Sequence, residues 1–396
     1  MASWAKSRGL SVNARREYVQ AMRKRYRAAA GRKAKSALLD ELVGVAGFDR
    51  KYAITLMNRP PARKAAAGKK RSGRPRAYRH CLSVIELAWE VLDFCCAERL
   101  HPQLLPLATA LARHGEVELT REAREELQRI SRATLARRLA ELPRPKPRLM
   151  RSAPHPNRIL ASQVQVDRYR WNEDRPGALE VDLVEHNGGS TGGHYACTLS
   201  VVDVVSGWSA RRAVMGKSQA VVGEAFEGLL VAWPSVVWAV HSDNGSEFLG
   251  RPLLRYCAER AITFHRSRPY RKNDNAHVEQ KNRQLVREVV GYDRIESPNG
   301  LAWLNAIYDV LDGYANLVLP SLKLVGKTRV GSKVSKRYDT ARTPLDRLLD
   351  LGAVHPHRLE DLTRQQQTLN PLALRRTLDR LQRHDPVLHD LPQAAD

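Results

Sequence analysis

Apolar residues first recur at helical spacing over 11–30, where Val12, Tyr18, Val19, Met22 and Tyr26 form a stripe with Arg15 and Arg16 beside it. A second helix is predicted over 36–43, then the break Gly44-Val45-Ala46-Gly47-Phe48, then a third helix capped by Asp49. In the third, Ala53, Ile54 and Met57 share an inward face, which leaves Arg50, Lys51, Tyr52 and Thr55 outward. Helix, short break, helix is a helix-turn-helix layout, assigned to 1–60. Residues 61–79 carry no such pattern and read as a basic linker. Periodicity returns over 80–142: one helix through Val84, Leu87, Ala88, Val91, Leu92 and Cys95, others over 104–111 and 120–129, and a last one capped by Ser131. That last helix turns Leu135 and Leu139 inward and Arg132, Thr134, Arg137 and Arg138 outward, a second helix-turn-helix-like arrangement.

After a Pro-punctuated connector over 143–160, the period shortens. Strands are predicted over 179–186, 195–205 and 208–214, the last two joined by Ser206-Gly207, and a helix over 218–231. Next come a buried strand over 235–241, a helix near 250–260, a short strand over 262–264, a polar loop and a helix through Val278, Leu285, Val286, Val289 and Val290. Asn275 stands where a cap would open that helix. Three antiparallel strands followed by alternating helix and strand describe a mixed α/β sheet flanked by helices over 161–318, closed by a helix over 303–317. Short basic strands over 323–338 predict a small β module within 319–349. An amphipathic helical segment ends the chain over 350–396, for packing or for subunit contact. The fold class is thus multidomain: an α/β core preceded by all-α domains.

Charge adds a partner to this picture. The 396 residues carry 66 Lys and Arg against 42 Asp and Glu, a formal net charge of +24. Residues 1–79 hold 22 of those bases and only 4 of the acids. Nucleic acid is the leading polyanion for such a chain, and an anionic membrane surface the competitor. Against the membrane, no apolar run approaches the ~20 residues of a bilayer span, and the N-terminus lacks a signal-peptide core. A cytoplasmic, nucleoid-associated protein is expected. Five cysteines without a CxxC pair (Cys81, Cys95, Cys96, Cys197, Cys257) read as reduced thiols, with adjacent Cys95 and Cys96 in the core. They and His80 and His101 lack zinc-ligand spacing. The outward residues Arg50, Lys51, Tyr52 and Thr55 are expected to face a major groove, the alternative being a helical hairpin with a solvated basic face. Gly73-Arg74-Pro75-Arg76 is similar to an AT-hook core, which would lay Arg74 and Arg76 in a narrow minor groove. A plain basic tether touching phosphates is the equal alternative.

The candidate chemistry lies in 241–282. His241-Ser242-Asp243-Asn244-Gly245 puts a carboxylate at the carboxyl end of a strand, and Glu279 falls in the first turns of the helix after Asn275. Two carboxylates at one crevice suit a divalent cation, and a third is needed. Asp182 in the first strand is preferred. Asp203 falls at a hairpin end, Asp167 precedes Pro176-Gly177, and Glu185 points to the opposite face from Asp182 in a regular strand. Taken singly, an Asp before Asn-Gly is usually a turn residue and a helical Glu usually solvated. Before the helix, Arg266, Arg268, Tyr270, Arg271 and Lys272 form a basic, aromatic-containing loop suited to phosphates or a frayed base. Lys281 and Arg283 flank Glu279, and Asn275 and Asn282 are placed to support the metal site or the backbone.

Strand-borne Asp182, strand-end Asp243-Asn244-Gly245 and helix-borne Glu279, with 35 residues between the last two, resemble the three carboxylates of the DDE transposase/integrase superfamily. The chain most resembles integrase-core transposases of bacterial insertion sequences; the core resemblance spans about 161–318 and the N-terminal one is of layout only. No His/His/Cys/Cys zinc module of the retroviral type is present in the sequence. The resemblance implies an RNase H-like core in which Asp182, Asp243 and Glu279 hold two Mg2+ ions, with Mn2+ as a substitute. It implies metal-dependent cleavage at transposon ends, then attack of the freed 3′-hydroxyl on target DNA, by a protein multimerised on double-stranded DNA. A regulator derived from a transposase, binding DNA without catalysis, is the second reading. A nuclease for RNA–DNA hybrids is the third, disfavoured by the long basic N-terminal region.

Overall fold

Three helices, α1 (Val12–Ala28), α2 (Arg32–Ala46) and α3 (Arg50–Asn58), pack around Met22, Leu39, Leu42, Ala46, Ala53 and Met57. They come from a computed structural model that describes residues 12–58, 78–143, 175–242, 247–248, 251–266 and 275–384. Helix α2 runs through Gly44 and stops at Gly47, whose left-handed φ of 68° lets its N–H close back on Val43. Asp49 caps α3 by accepting the Lys51 N–H at 2.8 Å, and the Arg23 guanidinium ties α1 to the Leu56 carbonyl. The expected inward face of α3 needs one correction. Ala53 and Met57 are buried, but Ile54 is 39% exposed and Leu56 packs in its place. These helices belong to the first of two compact units, Met1–Arg76; the second is Ala77–Asp396.

In the second unit, α4 (Leu82–Val91) is cut short by Asp93 and Phe94, which both take left-handed φ. The predicted helix therefore ends before Cys95, which is half-buried, while Cys96 is exposed rather than in the core. Helices α5 (Ala97–Leu100) and α6 (Leu104–Arg113) follow, then α7 (Arg121–Arg129) and α8 (Arg132–Glu141). Thr120 and Ser131 cap the last two through the N–H groups of Ala123 and Thr134. Leu135 and Leu139 point inward as expected.

A five-stranded mixed sheet forms the centre. Strands β1 (Ala178–Glu185), β2 (Ala196–Asp203) and β3 (Ser209–Met215) pair antiparallel, whereas β4 (Ala239–Ser242) and β5 (Thr263–Arg266) pair parallel, giving the order β3-β2-β1-β4-β5. Helices α9 (Gln219–Val231), α10 (Arg251–Glu259), α11 (Ala276–Lys281) and α12 (Pro298–Leu317) flank it. The predicted strand over 235–241 is shorter and later than its apolar run: Val236 is 62% exposed, and Trp238 and Ala239 both donate to the Gly177 carbonyl before pairing begins. Gly177 cannot be replaced by a larger residue, since a Cβ there would fall 1.9 Å from the Val236 carbonyl oxygen.

The outer edge of β3 is closed by side chains. Asn305, Asp312 and Asn316 lie on one face of α12 and accept the N–H groups of Ala213, Arg211 and Ser209. Asn305 and Asn316 also donate to the carbonyls of Ala213 and Ser209, so a strand that would otherwise be open is blunted. Beyond α12, β6 (Leu324–Val330) and β7 (Lys333–Tyr338) form an antiparallel hairpin, the basic strands expected there. Helices α13 (Pro344–Asp350), α14 (Pro356–Thr368) and α15 (Pro371–Arg383) complete the unit. Arg375 of α15 pairs with Asp93 at 2.7 Å and Trp303 of α12 donates to the Leu381 carbonyl, which ties α15 to both elements. Among the described residues, no helix is long and apolar enough to cross a membrane.

Candidate active site at strand β1 and helix α11

Side chains alternate along β1, so Glu180, Asp182, Val184 and, just past it, His186 share one sheet face. The register places Ser200 of β2 beside Asp182 and Arg211 of β3 beside Ser200. This face is polar beneath its helices. His186 meets the Thr198 hydroxyl at 2.7 Å, which meets the Tyr308 hydroxyl at 2.8 Å. Burial pushes the His186 imidazole down to about 3, so it stays neutral. The Arg211 guanidinium is buried against Asp312 and the Ser209 hydroxyl.

Helix α11 continues through a π-helical turn, Asn282–Arg287, to a last turn ending at Val290, and it is fastened to β1 at several points. The Glu180 carboxylate accepts the N–H groups of His277 and Val278 at 2.8 and 2.9 Å. The Asn282 amide donates to Asp182 Oδ2 at 2.7 Å, while Leu183 N–H donates to Oδ1 at 2.9 Å. Asn275 precedes the helix, yet its side chain does not cap it. Its Oδ1 meets His241 Nδ1 at 2.6 Å and its Nδ2 donates to the Val181 carbonyl. Helix capping falls instead to Glu180, a residue that local pattern missed because its partner lies 97 positions away. The Glu-Val-Asp spacing, which puts two acids on one strand face, was the signal that could have found it.

Glu279 is exposed, and its charge together with that of Asp182 acts on Glu180. Burial is the main cause that lifts the Glu180 carboxyl to about 7, opposed by the two amide N–H groups and aided by those two charges. Asp182 and the helix bearing Glu279 are thus brought together. Asp243 lies outside the described residues; the residue before it, Ser242, pairs with Val181, the neighbour of Asp182. Among the described residues no three His, Cys, Asp or Glu side chains form a metal-holding group. The donor set nonetheless fits a hard cation: Asp182 and Glu279 offer carboxylate oxygens, and Asn282 keeps a buried Oδ1 without a hydrogen-bond partner.

Two of the rivals for the first carboxylate have other work. Asp203 is fully buried and accepts the Gly177 N–H, the Ser206 N–H and the Ser206 hydroxyl. Glu185, on the opposite face, is engaged by Lys217, Tyr195 and Asn187. Asp167 lies outside the described residues.

The expected DNA-contacting residues fall on several elements. On α3, Lys51, Tyr52 and Thr55 are exposed, whereas Arg50 is tied to Asp40 and the Ser36 hydroxyl. On α8, Arg132 and Arg137 are exposed and Arg138 is half-buried beside Glu141. Arg283 is exposed and 3.5 Å from Glu288. Lys281 is partly buried, and burial and then the positive charge of Arg211, Arg99, Lys323 and Arg347 pull its ammonium down to about 7. Arg74, Arg76, Arg268, Tyr270, Arg271 and Lys272 lie outside the described residues. The cysteines are free; burial lifts the thiols of Cys81, Cys95 and Cys197 to about 12, far from nucleophilic use.

No protein-family model matches the chain. Solved structures of integrase cores are similar to part of it. The HTLV-2 integrase catalytic core domain in complex with magnesium is 15% identical, covers 37% of this chain and 90% of its own, and has a TM-score of 0.28. The catalytic core domain of BIV integrase is 15% identical, covers 44% of this chain and 95% of its own, and has a TM-score of 0.29. A protein of Sinorhizobium fredii (strain NBRC 101917 / NGR234), described as uncharacterized protein y4rM, is 35% identical over 345 residues, 86% of this chain and 97% of that protein. At that identity and coverage, the chain belongs to the family of y4rM.

Proposed function

We propose that the chain is a DNA transposase of the DDE type, a polynucleotidyl transferase that cuts at the ends of an insertion sequence and joins them to target DNA. One observation carries this reading: Asp182 on β1 is hydrogen-bonded to the helix that bears Glu279, while β4, which leads into Asp243, runs beside it. Asp182, Asp243 and Glu279 would hold the divalent cations. Bound Mg2+ would supply Lewis-acid stabilisation of charge on the phosphodiester under in-line attack.

The chain's own side chains do the rest. The Leu183 N–H and the Asn282 amide orient Asp182. Arg268, Tyr270, Arg271 and Lys272, which precede α11 in the sequence, with Arg283, would hold the phosphates of the strand being cut. Lys51, Tyr52 and Thr55 on α3, and Arg132 and Arg137 on α8, would bind the ends, helped by Arg74 and Arg76 in the linker and by the basic hairpin of β6 and β7. Synapsis of two ends implies a homo-oligomer on DNA.

Incubation of the full-length protein with paired end DNA and a target plasmid tests this. The expected result is 3′-end cleavage and joined products in Mg2+, none in chelator, with end binding that weakens steeply as salt rises. End binding with neither cleavage nor joining in Mg2+ or Mn2+ would leave the regulator reading in place.

A further inference from the structure

We infer that Glu180 is a positioning residue for the site proposed above: it anchors the start of α11 to β1 and so fixes the distance between Asp182 and Glu279. The inference rests on that reading of the site.

The anchor has two points on opposite sides of Glu279. Glu180 Oε2 accepts the N–H groups of both His277 and Val278, and Asn282, three residues past Glu279, donates to Asp182. One point holds a helix in place but leaves it free to swing; two points on the same strand hold both sides of the turn that carries Glu279. Asp182 and Glu180 are two residues apart on one face of β1, so the whole assembly is referred to a single strand. Glu180 is 1% exposed, and both N–H groups it accepts lie in the first turn of the helix, where the helical backbone offers them no acceptor. Without the carboxylate, donors at the helix start would be left unsatisfied, and the helix would move to find water. His241 and Asn275 brace the same corner from β4.

The consequence falls on metal affinity. Cation sites hold their ligands to a few tenths of an ångström, and loss of the groups that orient the ligands typically lowers affinity about 10–100-fold. Glu180 differs from a ligand in a testable way. Its role needs an acceptor oxygen at that reach, which a glutamine also offers, whereas a cation prefers the carboxylate.

Full-length wild type, E180Q, E180A and E180D are compared by Mn2+ binding, read by electron paramagnetic resonance, and by hydrogen exchange without metal. E180Q is expected to match wild type within about twofold in both. E180A should exchange faster over 277–290 and bind Mn2+ about 10–100-fold more weakly, with joining recovered at saturating metal. E180D, one methylene short of the two N–H groups, should follow E180A, and it decides the matter if E180A does not fold. E180Q as weak as E180A would make Glu180 a ligand and overturn the inference; so would E180A and E180D with wild-type exchange and wild-type Mn2+ affinity. A wild type that binds no Mn2+ would instead sink the metal reading of the site, while the exchange data still decide whether Glu180 anchors the helix.

Discussion

Asp182→Asn is expected to lower strand joining on the order of 10³-fold, the scale seen when one preorganised charge-stabilising group is removed, while end binding stays at the wild-type level. The fold should tolerate the change. The amide oxygen of the substituted side chain can still accept the Leu183 N–H, and its new NH2 can donate to Asn282, whose buried Oδ1 has no partner and is reached by turning the amide over. What the variant loses is the negative charge that would bind the cation. The checks are a joining assay, a binding isotherm on end DNA and a melting curve run on one preparation. Joining within tenfold of wild type would remove Asp182 from the site.

Asp203→Ala should do the reverse. Its carboxylate accepts three hydrogen bonds from Gly177 and Ser206 at the turn between β2 and β3 and at the approach to β1. Truncation leaves buried donors unmatched at roughly 1–3 kcal/mol each, so the unfolding free energy should fall by about 3 kcal/mol or more. Joining per folded molecule should stay near wild type, because none of those partners touches Asp182, Glu279 or Asn282. Chemical denaturation followed by tryptophan fluorescence measures the first quantity and active-fraction titration the second. A stable Asp203→Ala that cannot join DNA would exchange the roles of the two aspartates.

The two variants together mark how far the sequence could be read. Alternation in β1 and β2 and the Ser206-Gly207 turn were plain, because each depends on neighbours within a few residues. So was the Ser131 cap. The preference for Asp182 over Asp203 followed from position alone; Asp203 itself is taken up by buried contacts with Gly177 and Ser206. Where contacts are long-range, local pattern lost its hold. The apolar run 235–240 looked like a strand, but its first half meets Gly177 and Val354 rather than a full ladder. Asn275 has the right residue type for a cap, yet His241 and Val181 claim its side chain. Ile54 shares the inward spacing of Ala53 and Met57, but three short helices bury only a narrow stripe. Glu180, hinted at only by the Glu-Val-Asp spacing, was missed for the same reason as the polar ladder of Asn305, Asp312 and Asn316: a buried polar group is explained only by the partner that satisfies it, and that partner is 97 residues away in one case and 92 to 107 in the other.

In the proposed site, three carboxylates, two of them separated by 35 residues, act together to join DNA. Asp243→Asn in the full-length protein, assayed for joining and for end binding in Mg2+, tests it most directly. The predicted result is loss of joined product at wild-type affinity for end DNA; joined product at the wild-type rate would contradict it.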